Sequence, residues 1–202
     1  MIHPSTELKF ISMEKGYGVV AKEFIPKGTI TWVQDILDRV FSDNQVEKMN
    51  DIHKEIIEHY SFRNNKGNYI LCWDNGKYVN HSFKSNCLTT PYDFEIAVQD
   101  INVGEELTDD YGYLNIEQPF KALPEKGSKR KTVYPNDLTK YFNVWDKQID
   151  ESIKHLRVVD QPLGHLLPIK IERKINRILE GKQPLESILN CYYKPEKIKC
   201  NE

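Results

Sequence analysis

Short apolar runs separated by glycine and proline dominate the first part of the chain. Residues 9–11, 18–21 and 29–33 are rich in β-branched, aromatic and other apolar side chains, which predicts strands. Ile25-Pro26-Lys27-Gly28 has proline in the second position and glycine in the fourth, a pattern typical of a type I turn. Residues 100–104 repeat this turn pattern.

The apolar period changes over residues 44–60, where it recurs at steps of three and four. Ser42 and Gln45 fit a capping box at the start of this stretch. The pattern predicts one amphipathic helix inserted between strands. We expect His53 and His59 on its surface, since no cysteine or carboxylate is spaced to make them metal ligands. The apolar positions are Val46, Met49, Ile52, Ile56 and Tyr60.

Strand signals return from residue 68 onward. Residues 69–73, 77–79 and 95–98 are apolar or aromatic except at their first positions 77 and 95, and the turn residues Asp-Asn-Gly at 74–76 separate the first two runs. Many short strands with one helix indicate a β-rich α+β domain.

Beyond Leu114 the composition shifts. Residues 118–136 contain three prolines and a basic cluster with little apolar content, which predicts a solvated loop. Helical periods follow over 138–156 and 171–179, and a short helix is expected after Pro184. The chain therefore divides into a β-rich domain (1–116, with the helical insert at about 43–60), a linker (117–136) and an α-helical extension (137–202). The basic cluster comprises Lys126, Lys129, Arg130 and Lys131.

Composition excludes several classes of protein. The 202 residues include 28 basic and 30 acidic side chains, so no global field favours nucleic acid or an anionic membrane. Neither a signal peptide nor a membrane-spanning run is recognisable, and we expect an intracellular protein. The cysteines show no paired spacing, which indicates reduced thiols rather than a zinc or disulfide framework. They are Cys72, Cys87, Cys191 and Cys200.

Three short motifs contain the candidate chemistry. Gly16-Tyr17-Gly18 permits a sharp turn or a close backbone approach to a ligand, although alone it is more typical of a hairpin. Asn80 and His81 follow a predicted strand, where a turn asparagine and a hydrogen-bonded histidine are the ordinary interpretation. Tyr111 ends the run Leu107-Thr108-Asp109-Asp110-Tyr111 and by itself could be a core or capping aromatic.

Taken in order, the three motifs resemble those of the SET-domain protein-lysine methyltransferases. That family has a Gly-x-Gly strand turn, an Asn-His-Ser triplet and a Gly-Glu-Glu-Leu-x-x-Asp-Tyr-Gly run, which here are residues 16–18, 80–82 and 104–112. The resemblance covers residues 7–114. It implies small β-sheets around a knot-like crossing of the second and third motifs, and the helical extension is similar to that of compact, bacterial-type members.

The resemblance also implies an activity and site residues. The chain would transfer a methyl group from S-adenosylmethionine, leaving S-adenosylhomocysteine, to a lysine amine of a protein substrate. Tyr111 would be the catalytic tyrosine and would also contact the cofactor. Asn86 matches a structural asparagine of the family. The other cofactor-binding residues would be Gly16, Tyr17, Gly18, Asn80 and His81.

One departure concerns zinc. In zinc-bearing relatives four cysteines follow the Asn-His-Ser triplet and the last motif. The corresponding positions here are Phe83, Ala122, Pro124 and Lys129, so we expect no structural zinc. Phe120, Leu123 or the C-terminal helices would then have to cover the adenine and close the lysine channel.

Two other functions stay open. The chain could be a SET-fold interaction module without activity, or it could methylate a small amine or another position. The channel aromatic that sets the number of methyl groups could be Tyr60, Tyr69 or Tyr78. The C-terminal helices are expected to cap the core, with substrate recruitment or a dimer interface as alternatives. A eukaryotic source would allow a nuclear location, and a cytoplasmic one is the other possibility.

Overall fold

The computed structural model describes residues 1–194, which form five small sheets and four α-helices. The expected β-rich α+β class is confirmed. The strands are β1 Thr6–Ser12, β2 Gly16–Ala21, β3 Ile30–Val33, β4 Arg39–Phe41, β5 Ser61–Arg63, β6 Tyr69–Leu71, β7 Asn80–His81, β8 Cys87–Thr89, β9 Phe94–Ala97, β10 Thr108–Asp109, β11 Phe120–Lys121 and β12 Thr132–Val133. The helices are α1 Asp43–Glu47, α2 Asp51–Tyr60, α3 Asp137–Ile153 and α4 Ile169–Leu179.

The sheets are two- or three-stranded. The hairpin β1–β2 stands beside the sheets β3–β9–β8 and β4–β6–β5, all with antiparallel neighbours. The pair β7–β10 is parallel and joins segments that are far apart in sequence. A further antiparallel pair, β11–β12, lies within residues 117–136, so the predicted linker contains a short hairpin rather than only loop.

The type I turn predicted at residues 25–28 is wrong in position and in type, since the turn spans residues 26–29 and is of type II. The amide of Thr29 donates to the carbonyl of Pro26 at 3.1 Å, and Gly28 occupies the third position with φ of 92°. A positive φ at the third position is the requirement of a type II turn, which only glycine meets without strain. The turn at residues 102–105 is built in the same way, with Gly104 at φ 82°, so the repeated pattern does form repeated turns.

The helical insert is two helices, not one. The predicted capping box of Ser42 and Gln45 starts α1, but α1 ends after one turn. Asn50 then adopts an extended conformation and its side chain accepts from the amide of His53 at 2.9 Å, which starts α2. A second cap inside an apolar repeat breaks the helix because its side chain satisfies the amides that a continuous helix would bond.

The apolar face of α2 is also displaced from the prediction. Ile52 and Ile56 are exposed, and Ile57 is the buried residue of this helix. His53 and His59 are exposed, as expected.

Residues 75–78 form a 3₁₀ turn, which extends the predicted turn at 74–76 into the first two residues of the predicted strand 77–79. The carboxylate of Asp74 accepts from the amide of Gly76 at 2.9 Å and caps this turn. The strand begins two residues later, so Asn80 and His81 are themselves β7 rather than the residues that follow a strand.

The C-terminal helices complete the larger of two apolar cores. Trp145 and Ile149 of α3 pack with Phe94 and Ile96 of β9, and α4 adds Ile175. The smaller core lies between β2, β3 and the turns at residues 25 and 101. The helices therefore form the cap that the sequence predicts. The last part of the predicted extension, residues 195–202 with Cys200, lies outside the described residues.

Candidate active site

A cavity of about 1550 Å³ brings the three sequence motifs together. Its walls include Gly16 and Tyr17 from β2, Asn80 and His81 from β7, and Tyr111 from the turn after β10. These residues lie up to 95 positions apart in sequence, from Gly16 to Tyr111, and the fold places them around one space.

Gly18 lies behind this wall, where no side chain fits. A Cβ atom built on Gly18 would lie 2.5 Å from Glu106 Oε1, 2.8 Å from Ile11 Cγ1 and 2.9 Å from Asn80 Nδ2. These separations are far below van der Waals contact. The glycine is therefore needed because β2 must approach Asn80 and Glu106 closely, and the close approach is to the protein's own side chains.

Asn80 is fixed by two acceptors. Its Nδ2 donates to the carbonyl of Tyr17 at 3.0 Å and to Glu106 Oε1 at 2.7 Å. The second oxygen of Glu106 is paired with Lys15 Nζ at 2.7 Å. Because both amide hydrogens are used in this way, the orientation of the Asn80 side chain is set by the first and third motifs. Asn86, buried below, donates to the carbonyl of Glu106 at 2.8 Å and accepts from the amide of Thr108 at 2.8 Å, a structural role.

The parallel pair β7–β10 connects the second motif to the third. Asn80 is opposite Thr108 and His81 is opposite Asp109. Beyond the pair, the amide of Tyr111 donates to His81 Nδ1 at 3.2 Å, and the Tyr111 hydroxyl donates to the carbonyl of Val79 at 2.7 Å. Tyr111 is thus held against residues 79–81 by its backbone amide and by its hydroxyl.

His81 and Tyr111 are both neutral at physiological pH. Burial, with a smaller contribution from the Arg130 guanidinium, lowers the pKa of His81 to about 4. Burial and the carboxylates of Asp109, Glu106 and Glu95 raise the pKa of Tyr111 far above its ordinary value. His81 Nε2 is buried and has no hydrogen-bond partner within residues 1–194. The site therefore offers hydrogen-bonding groups rather than a charged acid or base at these two positions.

Sequence reasoning missed two buried carboxyl groups that line the cavity. Glu95 on β9 is 9% exposed and Asp109 on β10 is 4% exposed, and both line the cavity. The Tyr113 hydroxyl donates to Asp109 Oδ1 at 2.8 Å. Burial raises the pKa of both groups, that of Asp109 to about 6. The sequence signal that could have revealed Glu95 is a glutamate within the otherwise apolar strand Phe-Glu-Ile-Ala.

Residues 118–125 form an outer wall. Phe120 stands 5.6 Å from the His81 ring and 6.1 Å from the Tyr111 ring, and Leu123 also lines the cavity. Glu125 accepts from the Ser82 hydroxyl at 2.5 Å and from the amide of Phe83 at 2.9 Å, which ties this wall to the second motif. Of the covers expected from the sequence, Phe120 and Leu123 reach the cavity, while no lining residue comes from the described part of the C-terminal helices.

The basic cluster of this segment is not uniformly solvated. Arg130 forms ion pairs with Asp110, the residue before Tyr111, and with Asp137 at the start of α3. Its guanidinium also stacks 4.4 Å from the Phe83 ring centre and 4.5 Å from that of Tyr141. The expectation of a solvated loop fails here because the acidic partners lie on other segments and only the fold brings them near.

The cysteines do not assemble into a metal site in the described chain. Residues 1–194 contain no group of three or more His, Cys, Asp or Glu side chains placed to hold a metal ion. Cys72, Cys87 and Cys191 are free thiols, and burial raises the pKa of each. Within the same described range, no helix has the length and apolar content that a membrane crossing requires.

Comparison with known proteins shows which family the motif-bearing part of the chain resembles. The family model described as SET domain matches residues 16–112, so it begins at the first motif and ends at the third. Histone-lysine N-methyltransferase ASHH2 of Arabidopsis thaliana is 31% identical over 132 residues. Those residues are 58% of this chain but 7% of ASHH2, so the chain spans a small part of that relative.

A solved structure is also similar. It is a crystal structure from Plasmodium falciparum, named as a candidate histone methyltransferase, with a TM-score of 0.40 and 18% identity. The similarity covers 55% of this chain and 95% of that one.

Proposed function

Because the chain belongs to the SET-domain methyltransferase family, we propose that it transfers a methyl group from S-adenosylmethionine to a lysine side-chain amine of a protein. The observation that carries the proposal is the convergence of Gly16 and Tyr17, Asn80 and His81, and Tyr111 on one cavity. The family model covers all three motifs, and the side chains that the family would use are held in fixed orientations.

The cavity fits a cofactor of this kind. Its volume of about 1550 Å³ exceeds the few hundred to a thousand cubic ångströms of ordinary ligand pockets, so a cofactor and a side chain can enter together. His81 Nε2 is buried without a partner, which is costly unless a bound polar group satisfies it. We assign Gly16, Tyr17, Gly18, Asn80, His81 and Tyr111 to cofactor binding.

S-adenosylmethionine supplies a methyl group on a sulfonium sulfur, a good leaving group, and the task left to the protein is alignment. Tyr111 is suited to it, because its hydroxyl is fixed on the carbonyl of Val79 and its raised pKa keeps the proton on the oxygen. We propose that this hydroxyl and nearby carbonyl groups orient the amine at the methyl group. Free lysine titrates near pH 10.4, so the amine must also lose a proton before it can attack.

The substrate is proposed to be a protein. The relative named a histone-lysine methyltransferase makes histone tails the first acceptors to test. For a eukaryotic source this substrate implies a nuclear protein. We further propose that residues 1–116 form the SET unit, that 117–136 take the place of a post-SET segment, and that the helices α3 and α4 of the extension 137–202 cap the core.

Calorimetric titration with S-adenosylhomocysteine tests the proposal. We expect wild type to bind, Asn80→Ala to lose the affinity, and Tyr111→Phe to keep it within about twofold while methyl transfer from S-adenosylmethionine to core histones falls strongly. Asn143→Ala, on an exposed position of α3, is the matched control. If folded wild type does not bind S-adenosylhomocysteine, the enzyme hypothesis is wrong and the SET-fold interaction module is the remaining hypothesis. Equal loss of binding and turnover in Tyr111→Phe would show that the tyrosine has been given the wrong role.

A further inference from the structure

Two carboxyl groups lie where the strand pattern calls for apolar side chains. Glu95 is flanked on β9 by Phe94 and Ile96, which are fully buried, and Asp109 ends the two-residue strand β10. Both side chains line the same cavity, and burial together with the charge of Asp109 raises the pKa of Glu95. Removing carboxyl groups from water is costly, and such groups occur mainly where the charge is used.

The surroundings point to a ligand at this end of the cavity. The lining residues next to the pair are among the most buried, and they include Trp32, Cys72 and Val79. Trp32 is the cross-strand partner of Glu95, is 4% exposed, and its indole N–H has no acceptor within residues 1–194. A buried donor without an acceptor is a rare and unfavourable arrangement, which a polar ligand in the cavity would relieve.

The pair also lies close to the candidate catalytic residue. Asp109 precedes Tyr111 by two positions, and the charges of Asp109 and Glu95 both raise the pKa of the Tyr111 hydroxyl. Two buried carboxyl groups that line one cavity do not both ionise readily, so the pair would hold one proton and one negative charge.

We propose that the Glu95–Asp109 pair forms the inner end of the substrate channel, where it binds the ammonium group of the substrate and accepts one of its protons. The inference rests on the proposed function and adds a base to it. The ammonium loses one proton to the pair, which becomes neutral with two protons. The amine nitrogen then forms the N–CH₃ bond as the S–CH₃ bond breaks, and the sulfur keeps the electron pair. The proton on the pair returns to solvent before the next turnover.

The groups facing the pair leave it free to titrate near neutral pH. The phenols and thiols around it have raised pKa values and stay protonated, and Asp110 is neutralised by Arg130. The facing groups are Tyr111, Tyr113, Cys72, Cys87, Asp110 and the Met1 ammonium.

Binding of n-butylammonium, which has the end of a lysine side chain, to the protein saturated with S-adenosylhomocysteine is the direct test. We expect the neutral double variant Glu95→Gln/Asp109→Asn to bind n-butylammonium at least about tenfold more weakly than wild type, the effect of one lost charge-assisted contact. Its affinity for S-adenosylhomocysteine should stay unchanged. Glu55→Gln, on the exposed side of α2, is the matched control.

A pH profile of n-butylamine methylation separates proton uptake from binding. In wild type the rate should reach its plateau above the Asp109 pKa of about 6. In the double variant the rate should climb about tenfold per pH unit towards the amine pKa near 10.4, because only amine already neutral in solution can react.

The outcomes separate this inference from the proposed function. If wild type fails to bind S-adenosylhomocysteine, the proposed function itself falls. Suppose that wild type binds S-adenosylhomocysteine. If the double variant then binds n-butylammonium as tightly as wild type does, or if wild type does not bind n-butylammonium at all, the pair is not the amine site. If the double variant does not fold, Glu95→Gln and Asp109→Asn are tested singly, and each should bind n-butylammonium more weakly than wild type does.

Discussion

Replacing Arg130 with methionine is the sharpest test of how residues 115–136 are held over the site. The guanidinium of Arg130 bridges Asp110, which precedes Tyr111, and Asp137, which begins α3. The distance to Asp137 Oδ2 is 2.7 Å, and both acidic side chains are 2% exposed. One side chain thus connects the segment 117–136, the turn that carries Tyr111 and the first turn of α3.

The magnitude follows from burial. Methionine fills a similar volume but leaves the buried carboxylate of Asp110 without a cation and that of Asp137 with only Lys140, whose Nζ lies 3.8 Å from Oδ1. Removing one partner of a buried ion pair costs about 3–5 kcal/mol. Burial already raises the pKa of Asp110 despite Arg130, which shows that desolvation is the larger effect at this carboxyl. We therefore expect Arg130→Met to lower the free energy of unfolding by about 3–5 kcal/mol at pH 7.

Urea unfolding of Arg130→Met and Lys129→Met is the assay. Lys129 is the exposed neighbour, and its loss should cost no more than about 0.5 kcal/mol. The penalty in Arg130→Met should shrink as the pH falls towards the folded-state pKa of Asp110, which burial holds above its ordinary value, because the protonated carboxyl no longer needs a cation. Adding Asp137→Asn to Arg130→Met should recover part of the loss, since it removes one of the stranded charges.

Equal unfolding curves for Arg130→Met and Lys129→Met would refute the reasoning. So would a penalty that is independent of pH, which would assign the loss to packing against Phe83 and Tyr141 rather than to stranded charge.

Two further predictions follow from the site. Gly18→Ala should weaken binding of S-adenosylhomocysteine by more than about tenfold and lower the free energy of unfolding by about 1–3 kcal/mol, because the added Cβ overlaps Glu106 and Asn80. Calorimetry measures the affinity and urea unfolding measures the stability. An unchanged affinity would contradict the overlap. Relative to Asp109→Asn, wild-type stability should fall by about 3 kcal/mol as pH rises from about 4 to about 6 and stay level above, because the Asp109 pKa is about 6 in the folded protein against 3.8. Parallel unfolding curves of the two proteins across that range would show that the carboxyl titrates normally.

The sequence predicts which residues meet at the cavity better than it predicts the contacts between them. Asn80, His81 and Tyr111 are singled out because the motifs have a fixed residue order that can be recognised without coordinates. Gly18 was identified as a place of close approach, and the approach is real, but its neighbours Glu106 and Asn80 could not be known from local sequence.

Two omissions have a common cause. Glu95 sits in a strand whose other residues are buried, so local pattern gives no reason to connect it to Asp109. Arg130 belongs to a basic cluster, and such clusters usually face water, yet its partners come from residues 110 and 137. Charge pairing across distant segments leaves no periodic pattern in a sequence.

The break between α1 and α2 was missed for a local reason, because the Asn50 cap competes with an apolar repeat that continues through it.

The shared apolar core has a consequence for synthesis. The strands that carry Asn80 and Glu95 leave the ribosome before α3, whose Trp145 and Ile149 pack on β9 and on Tyr113. When residues 1–116 have emerged, the sheet β3–β9–β8 still exposes the face that these later residues cover. The nascent chain therefore carries every motif residue while lacking half of the core behind them, and its site matures only after a further stretch has been translated. A chaperone that shields the β9 face during that interval would act on folding yield without touching the site.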